Sequence, residues 1–366
     1  MENKLLNFAR SLPEHRMDRK KLHLAEDIVY ITLAAVICGA DTWEDISQFG
    51  RSKEDFLKQT LSLKHGIPSP DTFNRFFAVL SPDVFEANFI SWVKEICDKN
   101  TGVIAIDGKA VRGSRKQGNK SAIHMVGAFA AANGLALGQV KTNQKSNEIT
   151  AIPELLKVLD IEGCIVTIDA MGCQTKIAQK IIEKGADYIL AVKDNQKELH
   201  TEIIDTFRFS QKDKMAVHES VDAGHGRVET RVCTITDDLS LLSDAGKWQN
   251  VSRLVKIDST RFLKASKETQ QETRYYITSC KLTPEKIGAA IRSHWSIENQ
   301  LHWQLDVSFG EDKSRKRDRN AAENYSVILR MALNIVKNEK TTKRSVKGKR
   351  LKAGWDNEYL LKLLNF

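Results

Sequence analysis

The sequence predicts an α/β fold: a mixed sheet flanked by helices, preceded by a helical N-terminal region and interrupted by a β-rich insertion. Three observations predict it. Two short, β-branched apolar runs, Val103-Ile-Ala-Ile-Asp107 and Cys164-Ile-Val-Thr-Ile-Asp169, each stop at a carboxylate followed by a small residue. Buried strands that carry an acid to one end of a sheet read this way. From about residue 99 onwards strand-like and helix-like stretches alternate. Before that point the apolar spacing is helical, and from about 215 to 280 it has the period of two expected of strands.

In the first region Glu26 to Gly39 is strongly apolar, and Gly39 is a natural C-terminal stop. In Gly66-Ile-Pro-Ser-Pro-Asp-Thr-Phe-Asn-Arg-Phe-Phe77, Ser69 reads as an N-cap and Pro70 as the first helical residue. Phe73, Phe76, Phe77 and Leu80 then recur at helical spacing. Two readings stand side by side: a helix-turn-helix reader of DNA, or a small bundle whose aromatics are core. The alternating region starts with a strand at Val103–Asp107. Strands at Ala122–Ala131 and Leu135–Lys141 follow, joined through Asn133-Gly134, residues favoured in a tight hairpin turn. A helix is expected over Asn147–Leu159, capped by Ser146 or Asn147. Then come a strand at Cys164–Asp169, a helix over Gln174–Lys184 stopped by Gly185, and a strand at Tyr188–Val192. A meander followed by crossover units gives a mixed sheet between helices. The order β-β-β-α-β-α-β is that of the ribonuclease H-like fold. The insertion contributes alternating runs at Val228–Ile235, Val251–Ile257 and Thr273–Thr278. Helical signals resume with Thr283 as cap and Pro284 at the first position and run past Glu298, unless Ser296 caps a second helix. Asn320–Lys337 is a last amphipathic helix.

A chain of 366 residues exceeds one ordinary core, so two or three domains are expected. The net charge is +9, which favours an anionic partner such as nucleic acid. The six cysteines form no C-x-x-C pair, which argues against a cysteine zinc site and for reduced core thiols. The first residues lack a signal-peptide pattern, and Ile28–Cys38 is too short to span a bilayer. A cytoplasmic, nucleoid-associated protein without a membrane partner is expected.

In the expected sheet the first and fourth strands are neighbours, so Asp107 and Asp169, 62 residues apart (169 − 107), approach each other. Acids that close repel unless cations lie between them. Mg²⁺ suits such a site because it takes carboxylate oxygens and keeps positions for water and phosphate. A pair of such ions about 3.5–4 Å apart would serve an in-line phosphoryl displacement. A third acid is sought downstream. Ile297, Leu301 and Leu305 form an i, i+4, i+8 stripe with Glu298 at its edge, and His294 and His302 lie four residues to either side. Asp306, Glu311 and Asp312 are rival third ligands.

Several segments resemble a known family. Ile106-Asp-Gly-Lys-Ala-Val-Arg-Gly-Ser114, Lys145-Ser-Asn-Glu-Ile149, Val166-Thr-Ile-Asp-Ala-Met-Gly-Cys-Gln174 and His294-Trp-Ser-Ile-Glu-Asn-Gln-Leu-His-Trp303 look like the insertion-sequence DDE transposases that include the H-repeat-associated proteins of Rhs elements. Gly66–Arg75 and Lys352-Ala-Gly-Trp-Asp-Asn357 are similar too. The resemblance implies an Asp-Asp-Glu triad on a ribonuclease H-like core using Mg²⁺ or Mn²⁺. By position the triad is Asp107, Asp169 and Glu298, which would be both the catalytic residues and the metal ligands. The partners it implies are double-stranded DNA, as element terminal repeats and as target, and a second copy of the chain in a homodimer on DNA. The sequence departs from the Tyr, Arg and Lys that many such transposases carry around the Glu: Ile291, His294 and Leu305 stand there instead.

Basic residues supply the expected DNA contacts: Lys109, Arg112 and Arg115 after the first acid, Arg292, His294 and His302 around the third, and Lys313, Arg315, Lys316 and Arg317 in the run that follows. His225, Arg227 and Arg231 are candidates from the insertion. Seven bases and no acid lie in Lys340–Lys352. The expected organisation is a helical, DNA-binding-like domain (1–98), the first part of the catalytic core (99–214), the β-rich insertion (215–280), the second part of the core with the third acid (281–338) and a basic C-terminal tail (339–366). The expected activity is metal-dependent hydrolysis at element ends followed by strand transfer. A nuclease that cuts without joining and a non-catalytic DNA-binding relic are the alternatives.

Overall fold

Local sequence sets where several helices of the first region begin. In the computed structural model, which describes residues 3–14, 16, 21–97, 100–115, 122–142, 148–224 and 226–365, α1 (Lys4–Ser11) opens on Asn3, whose side chain accepts from the Leu6 N–H. The helix α2 (Ala25–Ile37) is apolar on all sides and almost wholly buried, and the chain leaves it through Gly39 at φ 109°. A capping box starts α3 (Trp43–Ser52): Thr42 accepts from the Asp45 N–H, and Asp45 accepts from the Thr42 N–H. After the single turn α4 (Glu54–Leu57), both α5 (Pro70–Val79) and α6 (Pro82–Ile96) carry proline at the first position. Ser69 caps α5 as expected, accepting from the Thr72 N–H. Phe73, Phe76 and Phe77 all face the core, where Trp43 stacks on Phe77 at 5.3 Å between ring centres. Each such ring contributes roughly 1.5–3 kcal/mol by burial, so the aromatic spacing in α5 is a packing signal.

The strands and helices that follow are β1 (Val103–Val111), β2 (Ile123–Ala130), β3 (Leu135–Thr142), α7 (Glu148–Val158), β4 (Ile165–Ile168), α8 (Thr175–Glu183), β5 (Asp187–Val192) and α9 (Lys197–Phe209). A meander of β6 (Met215–Gly224), β7 (Arg227–Thr236), β8 (Arg253–Leu263) and β9 (Glu268–Thr278) comes next. The nine strands among the described residues form one sheet in the order β3-β2-β1-β4-β5-β9-β8-β7-β6. β1 pairs antiparallel with β2 and parallel with β4, and β4 pairs parallel with β5. The meander is continuous with this sheet because β9 pairs antiparallel with β5.

Helix α10 (Pro284–His294) starts at the Thr283 cap, whose hydroxyl accepts from the Lys286 N–H. A π-type turn at Ile297–His302, then α11 (Trp303–Val307) and α12 (Ala321–Asn338), complete the layer against the first strands. β3 is an edge strand, but its backbone is covered. Asn334 on α12 exchanges hydrogen bonds with both the N–H and the C=O of Ala136, and Glu86 on α6 accepts from the Gln139 N–H. Finally α13 (Val346–Trp355) and α14 (Asn357–Leu364) pack on the body of the protein.

Several details differ from the sequence reading. β1 does not stop at Asp107: its parallel partner β4 ends at Ile168, opposite Ile106, but β2 continues alongside as far as Val111. The hairpin turn spans Ala131–Gly134 rather than Asn133-Gly134 alone, with Gly134 at φ 70°. α9 lies in a stretch with no expected element. The basic segment after residue 339 forms helices, with Lys349 and Arg350 turned inward; Arg350 donates to the Val36 carbonyl of α2. Ser146, Asn147 and His225 lie outside the described residues. No helix among the described residues is long and apolar enough to cross a membrane.

Candidate active site

Asp107 sits where β1 loses one neighbour and keeps the other, so its carboxylate faces the gap that opens beyond β4. Its Oδ1 accepts from the Gly108 N–H at 2.9 Å. Asp169 follows the last residue of β4 and caps a short turn, accepting from the Met171 and Gly172 N–H groups at 3.1 and 3.4 Å. Both aspartates and Glu298 line one cleft of about 640 Å³, walled by Ile168, Ala191, Val192, Tyr275 and Trp295.

The third acid arrives on the π-type turn. There the Trp303 N–H bonds the carbonyl of Glu298, five residues back, where a regular helix would reach four. Ser296 does not cap a new helix: it has helical φ and ψ, and the chain winds on through it. Ile297, Leu301 and Leu305 form the buried stripe read from the sequence. Leu301 packs beside Gly127, which pairs with Asp107 across β1 and β2, and this holds the turn against the strand that carries the first acid. Glu298 stays largely exposed, while His302, one turn on, is buried at 3% exposure. The His302 Nδ1 lies 3.0 Å from Glu298 Oε2 and 3.8 Å from Asp107 Oδ2. Ligand atoms of Asp107, Glu298 and His302 all lie within 4.8 Å of one another; Asp169 is outside that tight group but within the same cleft.

The electrostatics match this crowding. Burial above all, with the charges of Asp169 and Glu148 added, pushes Asp107 up to about 6 against the pull of His302. Burial and Glu148 likewise raise Asp169. The hydrogen bond from His302 lowers Glu298. A divalent cation fits such a set: oxygen donors converge with a ring nitrogen, and the burial and neighbouring negative charge that disfavour the Asp107 carboxylate are what a cation would offset.

The rival acids have other partners. Lys109 donates to Asp306 at 2.5 Å and to Glu311 at 2.7 Å, and Glu311 also accepts from Arg330 at 2.8 Å and Ser326 at 2.9 Å. Burial by itself would raise Glu311, but Arg330 and Lys109 outweigh it and hold this carboxylate at about 2. Asp312 accepts from the Arg112 backbone N–H. Among these acids, Glu298 is the one grouped with Asp107.

The basic candidates divide. Arg112, Arg115, Arg292, Lys313 and Arg315 are exposed. Lys109 is enclosed in the ion pairs just described. Lys316 is buried, with its ammonium donating to the Asp41 carbonyl and lying 3.7 Å from the Tyr325 ring centre; burial pulls it down to about 8. Arg317 donates to the Gly113 carbonyl at 2.8 Å. His294 lines the same cleft, with its Nδ1 3.0 Å from the Thr167 hydroxyl, and burial lowers it to about 4. In the meander, Arg231 pairs with Asp222 and Glu229.

One pair beside the site has no counterpart in the sequence reading. The buried His124 of β2 and Glu148 of α7 meet at 2.5 Å. They lie against Gly108, where a Cβ would come within 2.4 Å of Glu148 Oε1 and 2.6 Å of His124 Nε2. The glycine directly after the first acid was the available cue: a side chain there would collide with the pair.

The chain is similar to several known proteins. Residues 98–335 match the Transposase DDE domain family, and residues 6–93 match the DDE_Tnp_1-associated family. The chain is 42% identical over 373 residues to the "H repeat-associated putative transposase YhhI" of Escherichia coli (strain K12), covering 99% of this chain and 97% of that protein. It is also 42% identical over 371 residues to "Putative protein YbfL" of the same organism, with the same coverage. Among solved structures it is similar to a piggyBac transposase synaptic complex with hairpin DNA, at a TM-score of 0.46 and 11% identity over 98% of this chain and 77% of that one. With its mixed sheet, its convergent acids and a family match over most of its length, the chain belongs to the DDE transposases.

Proposed function

We propose that this chain is an active DNA transposase with a ribonuclease H-like core. In this reading Asp107, Asp169 and Glu298 hold divalent metal for hydrolysis at element ends and for strand transfer to target DNA. The observation that carries it is the meeting of Asp107 and Glu298, 191 residues apart (298 − 107), in one group of ligand atoms at a cleft that Asp169 also lines. The bound metal, Mg²⁺ or Mn²⁺, would supply charge neutralisation at the phosphate and activation of the attacking hydroxyl. The protein supplies position: β1 and β4 fix the two aspartates from a shared sheet, and the π-type turn brings Glu298 across to them. The exposed Arg112, Arg115, Lys313 and Arg315 follow β1 and α11, and they are the side chains we assign to phosphates of the bound duplex. Arg292 faces the meander side and would contact DNA farther from the acids.

The test uses duplex DNA carrying an element end, with Mg²⁺. Asp107→Asn should abolish strand cleavage and leave duplex binding nearly unchanged. Cleavage by that variant at the wild-type rate would remove the site assignment. Pre-cleaved ends offered with target DNA separate joining from cutting: joined product supports a transposase, and cutting without joined product supports a nuclease.

A further inference from the structure

We propose that His302 is a ligand of the metal beside Asp107 and Glu298, and that the site therefore favours Mn²⁺ over Mg²⁺. The inference rests on the metal-dependent reading above and deepens it. The argument starts from where the ring nitrogen points. Nδ1 is 3.0 Å from one carboxylate and 3.8 Å from the other, so it faces the space between them. A histidine that only oriented Glu298 would need the first contact and not the second. The three donor atoms span at most 4.8 Å. Ligands of one small cation at about 2.1 Å lie no more than roughly 4.2 Å apart, so an adjustment of a few tenths of an ångström closes the set.

The ring is also held firmly. His302 is buried, its neighbour Leu301 packs beside Gly127, and Ile297 and Leu305 anchor the turn on either side. Glu298, by contrast, is largely exposed. The rigid member of the group is thus the nitrogen, set between the Glu298 and Asp107 carboxylates. A bound cation would displace the Nδ1 proton that bonds Glu298 and leave the ring proton on Nε2, so that the Nδ1 lone pair becomes the donor. Mg²⁺ takes oxygen donors and holds them to strict octahedral geometry, whereas first-row transition ions, Mn²⁺ included, accept imidazole nitrogen more readily. A set of two carboxylates and one imidazole shifts preference toward Mn²⁺.

The test is pulsed electron paramagnetic resonance of Mn²⁺ bound to the full chain, with Mn²⁺ and Mg²⁺ titrated by calorimetry. Bound Mn²⁺ should show modulation from a directly coordinated ¹⁴N. His302→Gln should erase it and weaken Mn²⁺ binding by about 10–100-fold, with a much smaller effect on Mg²⁺. His294→Gln, His200→Gln and His124→Gln should all retain the modulation, which assigns the nitrogen even if His302→Gln does not fold. Tight Mn²⁺ binding without ¹⁴N modulation, or modulation that survives in a folded His302→Gln, overturns the ligand assignment and leaves the carboxylate site standing. Failure of the wild type to bind Mn²⁺, or equal binding by Asp107→Asn, removes the metal site and this inference together.

Discussion

Replacing Asp107 by Asn should stabilise the metal-free protein at neutral pH. Burial and the neighbouring acids raise the Asp107 carboxyl from 3.8 to about 6. The folded state therefore prefers the neutral acid, and ionising it at pH 7.5 costs about two units of pKa, or about 3 kcal/mol at 1.36 kcal/mol per unit. The sign follows from proton counting. Between about pH 4 and pH 6 the unfolded chain has released this proton and the folded chain still holds it, so stability falls as pH rises through that window. Above about 6 both states are ionised and the loss is complete. Asn removes the charge and keeps an Oδ1 to accept from the Gly108 N–H. Urea denaturation in EDTA, from pH 4 to pH 8, measures the difference. The variant should gain up to about 3 kcal/mol over the wild type at pH 7.5, and the two should converge near pH 4. Saturating Mn²⁺ should stabilise the wild type and leave the variant nearly unmoved. A variant less stable than the wild type at pH 7.5, or a difference that does not change with pH, would refute the electrostatic account of the site.

Two further outcomes test its surroundings. Glu311→Gln leaves the buried Arg330 and Lys109 without their shared counter-charge and should cost about 3–5 kcal/mol in the same denaturation experiment; a loss below 1 kcal/mol would show that solvent already reaches that network. Gly108→Ala drives a methyl into Glu148 and His124, with an expected loss of about 1–3 kcal/mol. In a double-mutant cycle Glu148→Ala should recover part of it, and strict additivity would mean that the clash lies elsewhere.

Much of this arrangement was legible because apolar runs ending in acids leave few alternatives. Ile104–Ile106 and Val166–Ile168 are buried strands, and the parallel pairing of β1 with β4 follows from the crossover order. The stripe at Ile297, Leu301 and Leu305 told which face of the Glu298 segment goes inward. It did not tell the winding, because a spacing of four suits a regular helix and a wide turn alike. The continuation of β1 was hidden because Gly108-Lys109-Ala110 carries no apolar alternation; its partner strand, not its own sequence, keeps it extended. Charge was the least readable signal. Lys109, Lys316 and Arg350 look like DNA-binding residues in one dimension and are internal struts in three, because the carboxylates, carbonyls and rings that receive them lie far away in sequence.

The five-residue reach of the Glu298 carbonyl means that the segment holds a residue more than a straight coil of the same length would accommodate. Excising one position between Trp295 and Gln300 would let the coil rewind regularly. Because a wide turn absorbs its extra residue locally, the chain after it would keep its facing, with Leu301 and Leu305 inward and Trp303 half-exposed. Only the residues inside the turn would be displaced, and Glu298, whose carbonyl makes the long bond, is among them. The irregularity thus bears on where that one carboxylate sits and leaves the helix that follows in register.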